Sequence, residues 1–224
     1  MDMKYKDVRH LPTYSVFEAA HYLKMPVSTI RSWVVGQPNF KRLITLAEYN
    51  PPTLSFINLV EAYVLASMRR KHRIHMPRVR KALKFVKEKY HSNHPLVELQ
   101  FETDGLSLFV REFNVLVNVF QAGQIAMMNV LRSYLKRIER DESGLAKRLY
   151  PFTRKGDPEE PKYVVIDPEI SFGRPVLVNT GIPVAVIVER YLAGESTKQL
   201  TLDYGRTQEE IEEALRCELW QKAA

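Results

Sequence analysis

The fold is decided near the start of the chain, by the stretch Tyr14-Ser-Val-Phe-Glu-Ala-Ala-His-Tyr-Leu-Lys-Met-Pro-Val-Ser-Thr-Ile-Arg-Ser-Trp33. Ser15 and Glu18 have the spacing of a capping box, in which each side chain bonds a free backbone N–H at the start of a helix. Apolar side chains then recur with helical period, at Phe17, Ala20 and Leu23. Pro26 suits the first position of a second helix. The stretch therefore predicts a helix-turn-helix.

The second helix of this pair has two different faces. Ile30, Trp33 and Val34 share an apolar face, which we expect to pack inward. A short helix with a packed back and a small polar front that carries an arginine fits the major groove of DNA. The predicted base-facing residues are Ser28, Thr29, Arg31 and Ser32. Two core helices of an unrelated α domain would show the same spacing. The charge of the surrounding chain is therefore needed to distinguish that interpretation from a DNA-binding helix-turn-helix.

Charge is spread unevenly along the 224 residues, which carry 33 Lys and Arg against 26 Asp and Glu. Residues 1–100 hold 17 basic and 7 acidic side chains, and residues 101–156 hold 9 and 6. Residues 157–224 hold 7 basic and 13 acidic side chains. A basic first part beside an acidic last part predicts nucleic acid as the partner at one end and a different partner at the other.

The stretch after the helix-turn-helix carries many Lys and Arg side chains and almost no Asp or Glu. This excess of positive charge favours contact with phosphates. Lys41 and Arg42 come after Gly36 and Pro38, in a loop that fits a wing. Ser55 caps a helix predicted from about Phe56 to Arg70, which ends in a dense basic cluster. Another helix is predicted from Pro77 to Tyr90, with an apolar stripe at Val79, Leu83 and Val86. We interpret the cations of residues 69–89 as facing phosphates. The predicted phosphate contacts are Lys41, Arg42, Arg69, Arg70, Lys71 and Arg73.

The middle of the chain predicts three further features. Residues 96–111 alternate apolar and polar side chains around Asp104-Gly105, which predicts a β-hairpin. A helix is predicted from about Ile125 to Arg140, and its apolar stripe fits either a core or a dimer seam. Residues 151–162 contain three prolines and many charges, which predicts a linker between two domains.

The C-terminal segment predicts short strands followed by three helices. The first helix runs from about Val184 to Ala193 and ends at Gly194. Ser196 with Gln199 and Thr207 with Glu210 have capping-box spacing and open the other two. Because phosphates repel an acidic surface, we expect this trihelical, helix-turn-helix-like unit to bind protein and not DNA.

Composition excludes several classes of function. The single Cys217 cannot form an internal disulfide, and the first residues have no apolar core for a signal peptide, so we expect a cytoplasmic protein. The longest uncharged run, residues 113–131, contains five amide side chains, which argues against a membrane span. There is no P-loop, dinucleotide fingerprint or zinc-type cysteine pattern. We therefore expect no cofactor, no bound metal and no enzymatic activity.

Two sets of residues resemble known families. Residues 14–90 resemble MerR-like winged helix-turn-helix modules, through the stretches Ser15-Val-Phe-Glu-Ala-Ala-His-Tyr-Leu23, Ser28-Thr-Ile-Arg-Ser-Trp33 and Arg78-Val-Arg-Lys-Ala-Leu83. Residues 163–216 resemble a small antitoxin domain long catalogued as a domain of unknown function. The matching stretches are Gly173-Arg-Pro-Val176, Thr180-Gly-Ile-Pro-Val184 and Gly194-Glu-Ser-Thr-Lys-Gln-Leu200. Gly181 and Asn179 depart from the family pattern, which has Arg and Gly there.

The combination resembles VapB-like antitoxins of prokaryotic type II toxin–antitoxin pairs. The resemblance implies a mainly α fold with short β-hairpins. Its parts would be a winged helix-turn-helix domain over residues 1–95, a connecting or dimerisation region over 96–150, the linker 151–162 and a small trihelical domain over 163–224. It also implies a cytoplasmic, homodimeric repressor that binds operator DNA and neutralises a PIN-like ribonuclease toxin.

An acidic domain that occupies the basic RNA groove of such a toxin would contact it through carboxylates. The predicted partner contacts are Arg174, Glu209, Glu210, Glu212 and Glu213. The alternative function is a stand-alone MerR-like transcriptional regulator that senses a small ligand through residues 96–155.

Overall fold

The computed structural model describes residues 7–38, 40–72, 76–98, 101, 106, 107, 109, 110, 121–154 and 160–219. Helices with defined bounds in these ranges are α1 (Val16–Tyr22), α2 (Val27–Val34), α3 (Phe56–His72), α4 (Met76–Tyr90), α5 (Gln121–Leu135), α6 (Val184–Leu192), α7 (Thr197–Tyr204) and α8 (Gln208–Glu218). The strands are β1 (Tyr14–Ser15), β2 (Glu48–Tyr49), β3 (Pro52–Leu54), β4 (Ile138–Arg140), β5 (Ala146–Leu149), β6 (Val164–Val165) and β7 (Val176–Leu177). Short 3₁₀ turns lie at Val8–His10, Pro95–Val97 and Ser171–Gly173.

The predicted helix-turn-helix is present as α1 and α2. Its capping box is complete, because the Glu18 backbone N–H donates to Ser15 Oγ at 3.1 Å and the Ser15 N–H donates to Glu18 Oε2 at 2.9 Å. Pro26 is the N-cap of α2 and so immediately precedes it. Sequence reasoning placed Phe17 on the inner face, but Phe17 is 68% exposed. The buried side of α1 is formed at i, i+3, i+4 and i+7 spacing, by Val16, Ala19, Ala20 and Leu23.

A small antiparallel sheet, in the order β1-β3-β2, attaches the helix-turn-helix to α3. Tyr14 pairs with Leu54, and Glu48 pairs with Thr53. At the start of α3, the Asn58 N–H donates to Ser55 Oγ at 3.2 Å, as expected for a helix capped by Ser55. The Asn58 side chain also accepts from Ala47 N at 3.1 Å, which fixes the preceding loop to the helix.

Helix α3 is the centre of the larger core. Every residue from Phe56 to Met68 is buried, including Asn58, Glu61 and Ser67. A helix that is enclosed on all sides must be surrounded by other elements, and α5 packs along α3. This core runs from Tyr14 to Ile166. The described part of residues 96–150 therefore belongs to the same packed unit as the helix-turn-helix.

Two predictions for the middle of the chain are corrected. The hairpin predicted over residues 96–111 is wrong, because Leu106, Ser107, Phe109 and Val110 are helical. Leu106, Phe109 and Val110 are buried with i, i+3, i+4 spacing, and this periodicity outweighed the turn signal at Asp104-Gly105, which lies outside the described residues.

The helix predicted from Ile125 to Arg140 ends early. Helix α5 stops at Leu135, and Ile138–Arg140 form β4, which pairs with β5 in an antiparallel hairpin. Leu131 and Leu135 are buried, while Ile125 is 59% exposed. Only the C-terminal part of the predicted apolar stripe that the structure describes therefore faces the core.

A second, smaller core lies in the C-terminal module, residues 163–219. It is formed by β6, β7 and the inward faces of α6, α7 and α8. Thr207 and Glu210 form a complete capping box at α8. Ser196 caps α7, but the Gln199 amide donates to Asp203 instead of completing the box. Gly194 and Gly205 end their helices with positive φ angles.

The described ends of the predicted linker are packed. Phe152, Thr153 and Glu160 are buried. The guanidinium of Arg137, itself buried, donates to the Tyr150 and Glu160 carbonyls, both at 2.9 Å. Residues 151–154 and 160–162 are therefore part of the folded structure, since a buried guanidinium and a buried carbonyl satisfy each other's hydrogen bonds there. Within the described ranges, none of the helices has the length and apolar content to cross a membrane.

Candidate nucleic-acid interface

The outer side of α2 carries three of the four predicted base contacts. Ser28 and Arg31 are exposed and Ser32 is half-buried. The Ser32 hydroxyl donates to the Thr29 carbonyl at 2.7 Å, one turn back along the same helix. Ile30 and Trp33 anchor the opposite side, at 0% and 1% exposure. The long side chain of Arg31 is thus presented from a firmly packed helix.

Thr29 does not join this surface. It is buried, with 6% exposure. Thr29 and Trp33 are four residues apart, so they lie on the same side of the helix, and that side faces the core. The prediction of a base contact from Thr29 is therefore wrong for this structure.

A cleft of about 400 Å³ lies between the loop after α2 and helix α4. We call it the basic cleft. Its apolar part is formed by Phe40, Leu43 and Leu83. Its charged lining consists of five cations and no carboxylate among the described residues, namely Lys41, Arg42, Arg80, Lys84 and Lys87. A concave surface with one sign of charge concentrates the field of its cations on an anionic ligand.

Two contacts between arginine and an aromatic ring hold guanidinium groups at this cleft. The Arg80 guanidinium donates to the Lys41 carbonyl and lies 5.6 Å from the Phe40 ring centroid. Arg42 lies 4.6 Å from the ring centroid of Tyr49. Burial lowers the pKa of Arg80 below its ordinary value, and arginine remains charged in proteins all the same. The guanidinium groups of Arg80 and Arg42 are therefore positioned before any ligand arrives.

The backbone joins the basic cleft to α2. The N–H groups of Leu43 and Ile44 both donate to the Trp33 carbonyl, at 2.7 and 3.1 Å. Trp33 is near the C-terminal end of α2, so the loop that carries Lys41 and Arg42 starts directly beside the helix that carries Arg31. The exposed side of α2 and the basic cleft are thus neighbours.

The sequence predicted only some of the residues that line the basic cleft. It predicted Lys41 and Arg42, and it predicted the buried stripe of α4, which is confirmed at Val79, Leu83 and Val86. It indicated that the cations of residues 69–89 face phosphates, but it did not select the three of α4 that line the cleft, Arg80, Lys84 and Lys87, from the others on that helix. Their i, i+4, i+7 spacing marks one face, but the loop that faces them lies about 40 residues earlier in the chain.

The other predicted phosphate contacts lie apart from the basic cleft or cannot be placed. Arg69 is exposed near the end of α3 and does not line the cleft. Arg70 and Lys71 belong to α3, but their side chains lie outside the described part of the structure. Arg73 lies outside the described residues altogether.

At the other end of the molecule, the acidic helix α8 is not the free anionic face that the sequence predicted. Glu213 is fully buried and accepts hydrogen bonds from the Thr153 hydroxyl and from Arg154 Nε, the latter at 2.7 Å. Burial alone would raise the pKa of Glu213, but these hydrogen bonds outweigh it and hold the pKa below its ordinary value. A buried, paired carboxylate cannot contact a partner, so this prediction is wrong.

The other three predicted carboxylates of α8 are also engaged within the chain. Glu210 completes the capping box and pairs with Arg206. Glu212 accepts from Gln208 at 2.8 Å and from Arg216 at 2.9 Å. Glu209, the most exposed of them, accepts from the Tyr163 hydroxyl at 3.0 Å. Their charges are largely compensated, whereas the fifth predicted contact, Arg174, is exposed.

Two protein-family models match parts of this chain, and they fall on its two cores. Residues 12–83 match the family described as "Putative DNA-binding HTH domain". Residues 164–216 match "Protein of unknown function (DUF433)". The class defined by fold and site is therefore a helix-turn-helix protein with a second module.

Similarity to one curated protein extends along both modules. The chain is 28% identical over 235 residues to "Putative antitoxin VapB45" of Mycobacterium tuberculosis (strain ATCC 25618 / H37Rv), covering 92% of this chain and 93% of that protein. The crystal structure of Rv2018 from Mycobacterium tuberculosis superposes with a TM-score of 0.71 at 25% identity, covering 92% of this chain and 98% of that one. The chain is thus similar to a putative antitoxin over most of its length, and its first part matches a putative DNA-binding helix-turn-helix domain.

Proposed function

We propose that this protein is an antitoxin that represses its own operon by binding operator DNA and neutralises a PIN-like ribonuclease toxin. The observation that carries the DNA-binding part is the basic cleft beside α2, with five cations, no carboxylate and prearranged guanidinium groups. The similarity to an antitoxin over nearly the whole chain supports the toxin-binding part.

DNA recognition divides between two surfaces. Helix α2 enters the major groove, where Arg31 bonds a guanine edge, with Ser28 and Ser32 beside it. The basic cleft holds the adjacent phosphates through Lys41, Arg42, Arg80, Lys84 and Lys87. A homodimer presents two such surfaces to half-sites about 34 Å apart, or a multiple of that spacing.

The test is binding to a duplex from the promoter of the protein's own operon, compared with a scrambled duplex of equal length. Arg31→Ala removes a base contact, so operator affinity falls by about 1–3 kcal/mol while affinity for the scrambled duplex falls much less. Lys84→Ala removes a phosphate contact, so both affinities fall together and the slope of log K against log salt decreases by about one. Fluorescence anisotropy over a salt series measures both quantities.

Lys198→Ala serves as the control, because Lys198 is an exposed cation of the C-terminal module. It leaves both affinities within about twofold, since a charge remote from the DNA contributes little at physiological salt. Absence of salt-dependent binding by the wild-type protein would contradict the proposal. Equal losses for Arg31→Ala on both duplexes would remove α2 from the role of base reader.

The alternative of a ligand-sensing regulator receives less support. Leu131, Tyr134 and Leu135, in the region that would hold the ligand, are buried in the larger core. Side chains that fill a core are unavailable to line a ligand cavity.

A further inference from the structure

A cleft of about 350 Å³ opens where α1 meets the C-terminal module. We call it the junction cleft. Its walls include Phe17, His21 and Tyr22 from α1 and Arg174, Pro175 and Pro183 from the C-terminal module. We propose that the junction cleft is the docking site for a segment of the protein partner that places a carboxylate beside apolar side chains. This inference rests on the proposed function, in that it requires a protein partner.

The two sides of the junction cleft are fixed to each other by polar contacts. The Tyr14 hydroxyl donates to the Gly173 carbonyl at 2.9 Å and is buried. His21 Nε2 and Glu218 Oε2 are 2.6 Å apart. The Lys24 ammonium donates to the Arg216 carbonyl at 3.2 Å and to the Thr153 carbonyl. A site whose walls are already held in place does not lose the free energy of ordering them when a partner binds.

One exposed aromatic side chain, Phe17, lines the junction cleft, and a second, Phe172, lies two residues before Arg174 in the chain. Phe17 is 68% exposed, on the side of α1 that faces away from the core, and Phe172 is 89% exposed. Ser171, Phe172 and Gly173 all have positive φ angles, of 49°, 55° and 73°. Left-handed backbone is rare for a bulky residue and persists where the surroundings impose it, often at functional sites. Here the Gly173 and Arg174 N–H groups close the turn by donating to the Ile170 and Ser171 carbonyls, at 2.9 and 3.1 Å, and Phe172 faces solvent.

Arg174 is the charged side chain of the junction cleft for which the described residues show no hydrogen bond or ion pair. The other arginines described in residues 160–219, Arg190, Arg206 and Arg216, each pair with a carboxylate. The two carboxylates that line the cleft are already engaged. Glu18 accepts from the backbone and hydroxyl of Ser15 at 2.9 and 2.8 Å, and Glu218 pairs with His21.

The chemistry of the missing partner follows from these residues. An arginine with a free fork of N–H donors binds a carboxylate in a bidentate manner. Arginine and aromatic side chains are enriched at the energetic centres of protein interfaces. The partner segment that fits is therefore one with an Asp, a Glu or a chain-terminal carboxylate next to apolar groups that cover Phe17 and Phe172. This places the partner at the junction cleft and not on the compensated helix α8.

The test uses the full-length chain and the product of the gene adjacent to its own, co-expressed and purified, with affinity measured by calorimetry. Arg174→Glu and Phe17→Ala are expected to lower the affinity at least about tenfold, as central interface residues do. The matched controls are Lys198→Glu, which makes the same charge change at an exposed site, and Leu192→Ala, since Leu192 is also 68% exposed. Both controls are expected to stay within about twofold of wild type.

The outcomes separate this inference from the proposed function. If the wild-type chain does not bind the adjacent gene product, the proposed function fails and the docking site with it. If it binds and Arg174→Glu binds equally well, only the docking site is overturned. A wild-type dimer that Arg174→Glu dissociates, measured by light scattering, would mean that a second copy occupies the cleft, which also overturns the proposal. Unchanged operator affinity of Arg174→Glu and Phe17→Ala verifies that these variants are folded.

Discussion

Gly173 occupies a position where both the backbone and the surroundings exclude a side chain. Its φ angle is +73°, and a Cβ atom placed there would lie 2.2 Å from the Tyr14 hydroxyl oxygen. Tyr14 is 2% exposed, so it has little room to retreat. Burial also raises the pKa of Tyr14, which keeps its hydroxyl protonated as the donor to Gly173. One glycine thus permits one of the contacts that join the two modules.

We therefore expect Gly173→Ala to destabilise the protein by about 2–4 kcal/mol, the sum of a left-handed backbone cost and overpacking against Tyr14. Gly181→Ala is the control, because a Cβ atom there meets nothing within 4 Å. It should change the free energy of unfolding by no more than about 0.5 kcal/mol. Urea unfolding measures both changes. A Gly173→Ala variant as stable as Gly181→Ala would show that the Tyr14 contact is not formed as described.

At the scale of single residues, the sequence predicted which side chains are exposed better than it predicted which side chains pair with each other. Arg31 and Arg174 were predicted at the surface, and both are exposed. Thr29 was misplaced, because it lies at the border between two helix faces, where neighbouring elements decide burial. Glu213 was misplaced because its partners, Thr153 and Arg154, lie about 60 residues away, so no local spacing reveals them.

At the scale of elements, the capping box of α1 shows what local sequence determines. The Ser15 side chain accepts from the Glu18 N–H, and no tertiary contact is needed for this bond. Ser15→Ala removes the cap, so we expect a loss of about 1 kcal/mol in the free energy of unfolding. Ser28→Ala, at an exposed position of α2, is the control. Thermal or urea unfolding compares the two, and equal stabilities would contradict a stabilising cap.

Local signals of this kind made most helices predictable. Caps at Ser15, Ser55 and Thr207 and the glycines at 194 and 205 mark helix ends that the structure confirms. The region around residues 96–140 was predicted poorly, because its apolar residues fit both strand and helix periods. There the large core around α3 decides between them, since burial of Leu106, Phe109 and Val110 on one side requires a helix.

At the scale of the whole molecule, a small polar network fastens α8 to the chain that precedes the C-terminal module. Glu213 receives hydrogen bonds from Thr153 and Arg154 and also pairs with Arg216. Because the folded-state pKa of Glu213 lies below the ordinary value of 4.5, the folded protein binds fewer protons at this site than the unfolded chain does at mildly acidic pH. Its contribution to stability is therefore present above about pH 4.5 and is lost as pH falls through the lowered pKa.

Glu213→Gln removes this titration. We expect the wild-type protein to lose more stability than the variant when urea unfolding is measured from pH 6 down to pH 3. Glu142→Gln, at an exposed position outside this network, should follow the wild-type pH profile. Identical pH profiles for wild type and Glu213→Gln would contradict the described network. The variant should also be less stable than wild type at pH 6, because Arg154 and Arg216 lose a charged partner there.

The basic cleft also depends on the fold of the whole molecule, because its cations come from distant parts of the chain. For this reason the sequence predicted only part of its lining. The excess of positive charge in residues 1–100 was visible in the composition. The assembly of Lys41 and Arg42 against Arg80, Lys84 and Lys87 depends on how the loop after α2 folds back onto α4. That arrangement is fixed by the hydrogen bond from Arg80 to the Lys41 carbonyl and by the two hydrogen bonds from the loop backbone to the Trp33 carbonyl.

Ile166 lies beyond the predicted linker, yet it belongs to the larger core and exchanges two backbone hydrogen bonds with Leu149, at 2.8 and 3.0 Å. A protease that removes the C-terminal module would therefore also remove part of the larger core, which contains the helix-turn-helix. Under the proposed function, one proteolytic event would free the toxin and lift repression together. No truncated repressor would survive to keep the operator occupied while its toxin acts.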